Sequence, residues 1–252
     1  MINNKTKKIH NAKVIKIEEV AKNSYLLELK PQIPIEASAG QFISIYCEGL
    51  TLRRPFSVFS NNNGNIGILF KKRGAGTQYM KSLKVGDNVN FIGGLGNSFK
   101  IKNKKSLLIG AGVGVAPISY LKRKLTEQNI ENIFVTGYRN IDEIPSCVQS
   151  DYICTDDGSF GEKGNILTVC KNLTEKYQPK VIYACGPKVV LEAISELGKK
   201  CGIETQVAIE KIMACGIGVC RGCVIDVIKD GKVQNSSVCK DGPVFYGENI
   251  VW

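Results

Sequence analysis

The strongest constraint on this chain lies in its C-terminal segment, where Cys215, Cys220 and Cys223 follow a C-x4-C-x2-C spacing and Cys239 comes after 15 more residues. Gly216, Gly218 and Gly222 are interleaved with the first three cysteines. Such a loop can wrap an inorganic centre, because glycine allows the backbone N–H groups to turn toward the sulfur atoms. A segment as short as 209–252 holds too little apolar material for a core of its own, so a metal would have to hold it together. Three readings compete: a [2Fe–2S] cluster, a four-cysteine zinc site and packed free thiols. Zinc ribbons generally use two short C-x2-C hooks, and here the second hook is missing, so the spacing favours iron and sulfur. The remaining six of the ten cysteines show no such spacing and read as core or incidental residues.

The rest of the composition narrows the function classes. The N-terminal stretch Met1-Ile2-Asn3-Asn4-Lys5 lacks the apolar region of a secretory signal. The expected location is therefore the cytoplasm, where thiols stay reduced and a disulfide framework is disfavoured. No apolar run approaches the roughly 18 residues that cross a bilayer, so no membrane association is expected. A net charge of +11 invites a nucleic-acid reading, but the lysines fall in short clusters such as Lys5-Lys7-Lys8 and Lys102-Lys104-Lys105. Without a long basic stripe alternating with aromatics, they read as a solvated surface, and no nucleic-acid partner is expected. His10 is the single histidine, which removes Ser-His-Asp hydrolases and histidine zinc sites, and no catalytic side chain is assigned.

The hydrophobic texture divides the chain into three parts. Over 1–101, short alternating runs such as Ser24–Lys30, Gln41–Cys47, Pro55–Ser60, Ile66–Lys71 and Asn88–Gly93 predict an antiparallel β-barrel of five or six strands. Over 102–208, apolar strands Ser106–Ile109, Ile133–Gly137 and Val181–Ala184 alternate with helical stretches Pro117–Gln128, Asn165–Lys176 and Lys188–Cys201. Repeated βα units of this kind predict a parallel, doubly wound sheet. Over 209–252 a hairpin is expected across Val224–Ile228 and Lys232–Ser236 beside the cysteine loop. The fold class is multi-domain: β, then α/β, then a small iron–sulfur domain.

Two kinds of nucleotide signal sit on these elements. Arg54-Pro55-Phe56-Ser57 lies on an expected barrel strand, where a guanidinium, an aromatic ring and a hydroxyl can hold a flavin. Gly74-Ala75-Gly76-Thr77 precedes a helical stretch and can cradle phosphate with backbone N–H groups, although a structural turn explains it equally. Gly110, Gly112 and Gly114 lie between a strand and a helix, the context of a dinucleotide turn. The third glycine comes one place early for a Rossmann fingerprint, and no clear acidic ribose ligand follows. Cys185-Gly186-Pro187 ends a later strand at the same sheet edge, where α/β sheets bind ligands. Arg139 follows the second nucleotide strand, and NADH against NADPH is left open.

Five stretches together resemble the ferredoxin-NADP reductase superfamily, and within it the electron-transfer subunits of class B dihydroorotate dehydrogenase. They are Leu52–Ser57, Gly93–Phe99, Gly110–Pro117, the cysteine loop and Val238–Phe245. The resemblance implies FAD contacts on Arg54, Pro55, Phe56, Ser57, Leu69, Phe70, Lys71, Gly76 and Thr77, with NAD as a diffusible co-substrate. It implies cluster ligation by Cys215, Cys220, Cys223 and Cys239. Lys71 stands where the family often has Arg, which keeps the charge but loses the planar fork. The implied role is electron passage from an FMN-containing catalytic dihydroorotate dehydrogenase subunit, in a heterotetramer, through [2Fe–2S] and FAD to NAD+ in pyrimidine biosynthesis. Related subunits of hydrogenases, sulfide dehydrogenases and NADH-linked ferredoxin:NADP reductases share most of these motifs and form the alternative.

Overall fold

The computed structural model describes residues 8–252. The stretch Met1–Lys5, which carries the expectation of no secretory signal, and Lys7 lie outside the described residues.

Seven strands build the first unit: β1 (Ile9–Ala21), β2 (Ser24–Pro31), β3 (Phe42–Ile45), β4 (Arg54–Ser57), β5 (Ser60–Asn62), β6 (Asn65–Lys71) and, after helix α1 (Ala75–Ser82), β7 (Asn88–Leu95). The β1–β2 hairpin turns through Lys22 and Asn23, with Asn23 at φ 58°, a conformation asparagine tolerates better than most residues. All pairings are antiparallel, in the order β4-β3-β7-β1-β2-β6-β5. The expected strand Pro55–Ser60 is broken into β4 and β5 at opposite ends of that order. Between them, Val58 N–H donates to Gln41 C=O (3.0 Å) and Phe59 N–H to Gly67 C=O (2.8 Å), so the connecting residues bridge both edges and curl the sheet into a barrel.

The second sheet takes β8 (Ser106–Ala111), β9 (Asn132–Tyr138), β10 (Tyr152–Thr155), β11 (Glu162–Lys163), β12 (Val181–Cys185) and β13 (Glu204–Ala208), with helices α2 (Val115–Glu127), α3 (Ile166–Tyr177) and α4 (Lys188–Cys201) between strands. Its order is β11-β10-β9-β8-β12-β13, all parallel, with one C-terminal strand, β16 (Val244–Tyr246), added beside β13. Alternate residues of each strand face opposite layers. Leu107, Ile109, Val135, Ile182 and Ala184 pack with Cys170, Leu191 and Ile194 of α3 and α4. Leu108, Phe134, Val181 and Tyr183 pack instead with Ile118, Leu121 and Leu125 of α2, in a core continuous with the barrel's Leu27, Ile43 and Ile68. Tyr120 on α2 donates its hydroxyl to Ala37 C=O (2.8 Å), and the Arg123 guanidinium lies 4.6 Å over the Phe59 ring. Helix α2 therefore docks the two units together.

The C-terminal segment contributes the hairpin β14 (Val224–Lys229) and β15 (Lys232–Ser237), then β16 (Val244–Tyr246), which pairs antiparallel with β13. Asn97 pins this segment to the barrel. Its amide donates to Asp241 C=O (3.0 Å) and Val244 C=O (2.8 Å) and accepts from Val244 N–H (2.9 Å). Two of the stretches that carry the resemblance, around Asn97 and around Val244, thus meet in space. Among the described residues, no helix is long and apolar enough to cross a membrane.

Candidate functional site

The cysteine loop folds against β3. A Cβ placed on Gly216 would lie 3.6 Å from Ser44 Oγ and 4.0 Å from a ring carbon of Phe42. Cys223 and Cys239 are buried with Phe42, Leu95 and Val238 in one small core, whereas Cys215 is half-buried and Cys220 exposed. The thiols come in two pairs. Cys220 N–H donates to Cys215 Sγ and Cys239 N–H to Cys223 Sγ, each at 3.4 Å. Desolvation opposes ionisation of Cys215, but N–H groups of Cys220, Ile217 and Val219 outweigh it and hold this thiol below its ordinary pKa. Burial, and then the neighbouring Cys223 thiol, push Cys239 up. Among the described residues, no three His, Cys, Asp or Glu side chains converge on a position for one metal ion. One zinc would need four thiolates about one point, whereas a two-iron cluster takes two terminal thiolates per iron. The paired arrangement and its N–H donors suit the second.

A cavity of about 280 Å³ adjoins this loop, lined by Phe42, Pro55, Phe56, Ser57, Leu69, Phe70, Lys71, Arg73, Thr77, Val113, Met213 and neighbouring residues. The Phe56 ring meets Phe70 edge-on with centroids 5.9 Å apart, giving an aromatic wall suited to a flat ring system. Helix α1 begins beside it with no acidic residue in its first turn, and its free N–H groups favour an anion. Thr77 Oγ1 fastens that turn by accepting from Arg73 N–H (2.8 Å) and Gly74 N–H (3.1 Å). Arg54 and Gly76 pack against each other beside this turn. The Arg54 guanidinium donates to the carbonyls of Leu52 and Arg53, and a Cβ on Gly76 would strike the Arg54 side chain. The apolar walls, cationic Lys71 and Arg73 and an open helix start fit a flavin dinucleotide.

A second cavity, about 490 Å³, shares Leu69, Phe70, Lys71, Arg73 and Val113 with the first. It opens over the C-terminal strand ends of the second sheet, at Gly112, Gly137–Arg139, Asp156 and Pro187. Gly112 faces it at φ 56° with open space beside its Cα. Gly110 and Gly114 instead allow close packing: added Cβ atoms would meet Val115 and Phe134, or the backbone of Cys185 and Gly186. Cys185 is buried, and that burial, with help from the charge of Glu210, raises its thiol pKa. Gly186 and Pro187 border a further cavity of about 540 Å³, which shares Ile209, Glu210 and Lys211 with the flavin-sized one.

Four charged residues at these cavities carry no sequence motif. Arg73 borders both main cavities. Glu210 is reached by solvent through the cavities on either side of it, yet surrounding protein desolvates its carboxyl and raises its pKa, partly offset by Arg73. Glu143 accepts from Lys71 Nζ (2.8 Å) and from Arg139 Nε (2.8 Å) and Nη2 (2.5 Å). Asp156 completes the group after β10. No acid directly follows β9; the carboxylates arrive from the β9–β10 connection and from the residue after β10, which spacing alone does not reveal.

Residues 210–251 match the family described as the iron–sulfur cluster binding domain of dihydroorotate dehydrogenase B, and residues 11–99 match the oxidoreductase FAD-binding domain. The electron transfer subunit of dihydroorotate dehydrogenase B (NAD(+)) from Caldanaerobacter subterraneus subsp. tengcongensis is 35% identical, covering 84% of this chain and 87% of that protein. Its counterpart in Listeria innocua is 35% identical over 94% of this chain and 97% of the relative. A solved structure of NADH-dependent reduced ferredoxin-NADP oxidoreductase superposes with a TM-score of 0.81 at 26% identity, covering 96% of this chain and 90% of that one. With a barrel, a dinucleotide sheet and a paired-cysteine loop around contiguous cavities, and with this likeness along nearly its whole length, the chain belongs to the family of dihydroorotate dehydrogenase B electron transfer subunits.

Proposed function

We propose that this chain relays electrons from an FMN-containing catalytic dihydroorotate dehydrogenase subunit, its partner in a cytoplasmic heterotetramer, to NAD+. The observation that carries the reading is a shared wall. Phe42 and Met213 line the flavin-sized cavity and also pack in or against the small core holding Cys223 and Cys239. Three sites therefore lie in series: nucleotide cavity, flavin cavity, cysteine loop. When bound, FAD supplies the conversion between hydride and single-electron transfer, and a [2Fe–2S] cluster supplies a one-electron relay.

The chain's residues bind and orient these groups. Cys215 and Cys220 would hold one iron and Cys223 and Cys239 the other, with loop N–H groups stabilising the thiolates. Arg54, Pro55, Phe56, Ser57, Leu69, Phe70, Lys71, Arg73, Gly76 and Thr77 would seat the flavin. Gly110, Gly112, Gly114, Cys185, Gly186 and Pro187 would shape the nicotinamide site. The three units follow 1–101, 102–208 and 209–252. Ile212 and Val219, 90% and 76% exposed beside the cysteine loop, offer the partner apolar contact.

Mixing the chain with its FMN subunit and assaying NAD+ reduction by dihydroorotate tests the proposal, with a stable, active complex expected. The likeness to the NADH-dependent ferredoxin-NADP oxidoreductase supports a second reading, a subunit of another redox assembly. A complex inactive with dihydroorotate but active with a different donor would establish that reading instead.

A further inference from the structure

The reading of the 490 Å³ cavity as the nicotinamide dinucleotide site leads to one more assignment. We infer that Glu143 and Asp156 select a dinucleotide whose adenosine ribose carries a free 2′-hydroxyl, by pairing the cations at the adenosine end of the cavity so that none is left for a 2′-phosphate.

The orientation of the ligand follows from the cavities. Hydride transfer requires the nicotinamide to reach the flavin. Gly186 and Pro187, at the end of β12, border the space that shares Ile209 and Glu210 with the flavin cavity. With the pyrophosphate at the Gly112–Val113 turn, the adenosine end extends the other way, over the ends of β9 and β10. That end is where Arg139, Glu143 and Asp156 line the wall.

A 2′-phosphate site needs a guanidinium or ammonium free to pair with it. Arg139 is the candidate by position, with a side chain 72% exposed. Its Nε and Nη2 are both spent on Glu143 Oε1, which occupies one edge of the fork and offsets its charge. Lys71 is tied to the same oxygen, and the Glu143 side chain is only 15% exposed, so the junction is largely shielded. Asp156 is fastened to the end of β9 by its N–H bond to Tyr138 C=O (3.0 Å), and its charge acts on Arg139. Two carboxylates thus balance Lys71 and Arg139. Of the cations lining this cavity, the third, Arg73, sits at the flavin boundary, where it acts on Glu210. Against this wall a ribose 2′-hydroxyl can donate to a carboxylate, whereas a 2′-phosphate adds negative charge beside two others.

Calorimetric titration of the flavin- and iron-loaded chain with ADP-ribose and with 2′-phospho-ADP-ribose tests the inference. The parent should favour ADP-ribose at least about tenfold. Glu143→Gln with Asp156→Asn should shift the ratio toward the phosphorylated ligand by roughly 10- to 100-fold, the scale of one new charge-assisted hydrogen bond. Adding Arg139→Ala to Glu143→Gln should abolish that variant's shift, because the released guanidinium is its source. Flavin absorbance reports whether FAD stays seated once Lys71 loses its partner. Fully flavinated variants that keep the parent's ratio, or a parent without preference, would overturn the assignment. Gly112→Asp probes the cavity itself: aspartate tolerates φ near 56° and meets open space there, bringing a carboxylate to the pyrophosphate turn. If Gly112→Asp binds ADP-ribose as tightly as the parent, the cavity reading falls, and this assignment with it.

Discussion

Gly112 and Gly114 lie two residues apart in one turn, yet each favours glycine for a different reason. Gly114 has an ordinary φ of −61°, but an added Cβ would sit 2.7 Å from Gly186 N and against the Cys185 carbonyl. Gly114→Ala must push the turn off the end of β12, at a cost of about 1–3 kcal/mol, the range for overpacking a tight contact. Gly112→Ala meets no atoms, and its cost is the left-handed backbone alone, about 1–2 kcal/mol. Urea midpoints should rank Gly114→Ala as the more damaging, and only that variant should disturb the nucleotide end of β12. Glu143 makes a pH-dependent contribution. Burial raises its pKa, but hydrogen bonds from Arg139 and Lys71 outweigh this and lower it from 4.5. The resulting stability is present in full above pH 4.5 and is lost as pH falls through the lower folded value. The stability gap between the parent and Glu143→Gln, measured by urea unfolding, should therefore be constant near neutrality and shrink below about pH 4.5. A gap that widens on acidification would contradict the ion-pair account.

At the scale of elements, the C-terminal segment is held in two unequal ways. Strand β16 is part of the seven-stranded second sheet, and Asn97 anchors the turn before it. The β14–β15 hairpin is a separate two-stranded sheet whose β15 is mostly exposed, resting on the core around Cys223 and Cys239. A lone hairpin is marginal in water, and a metal bound by its flanking cysteines would supply folding free energy. Removing iron by chelation should thus speed amide exchange across 215–237 and leave Val244–Tyr246 protected. Equal loss of protection in both would mean that the cluster holds the whole segment, β16 included.

For the whole molecule, the order of cavities makes a functional prediction. Cys223 lies in the core that touches the flavin wall, so Cys223→Ser should lose iron, because a serine oxygen is a harder and poorer iron ligand than thiolate. NADH-dependent reduction of an artificial acceptor at the flavin should persist in that variant, while transfer to the catalytic partner stops. Wild-type transfer in a variant shown to lack the cluster would refute the series arrangement.

The division between local and long-range information also runs through the whole molecule. The cysteine spacing, the glycine turn after β8, the β14–β15 hairpin and the alternation of strands with helices over 102–208 were legible because each depends on neighbours within about one element. Turn chemistry and hydrophobic period act at that range. The break between β4 and β5 was not legible, because an apolar run shows no sign of which barrel edge each half will join. Nor was the fate of Lys71, whose ammonium is held by Glu143, 72 residues away. Arg54 and Arg73 illustrate the same limit: the motif residue's guanidinium is bonded to the carbonyls of Leu52 and Arg53, and a residue without a motif lines both cavities. The sequence by itself determined which chemistry the chain can host, because ligand types and their spacing are local properties. Only the tertiary structure decided how the sites are joined and which charges are already paired, because those contacts arise when distant faces pack to bury apolar surface, a condition on the whole chain at once.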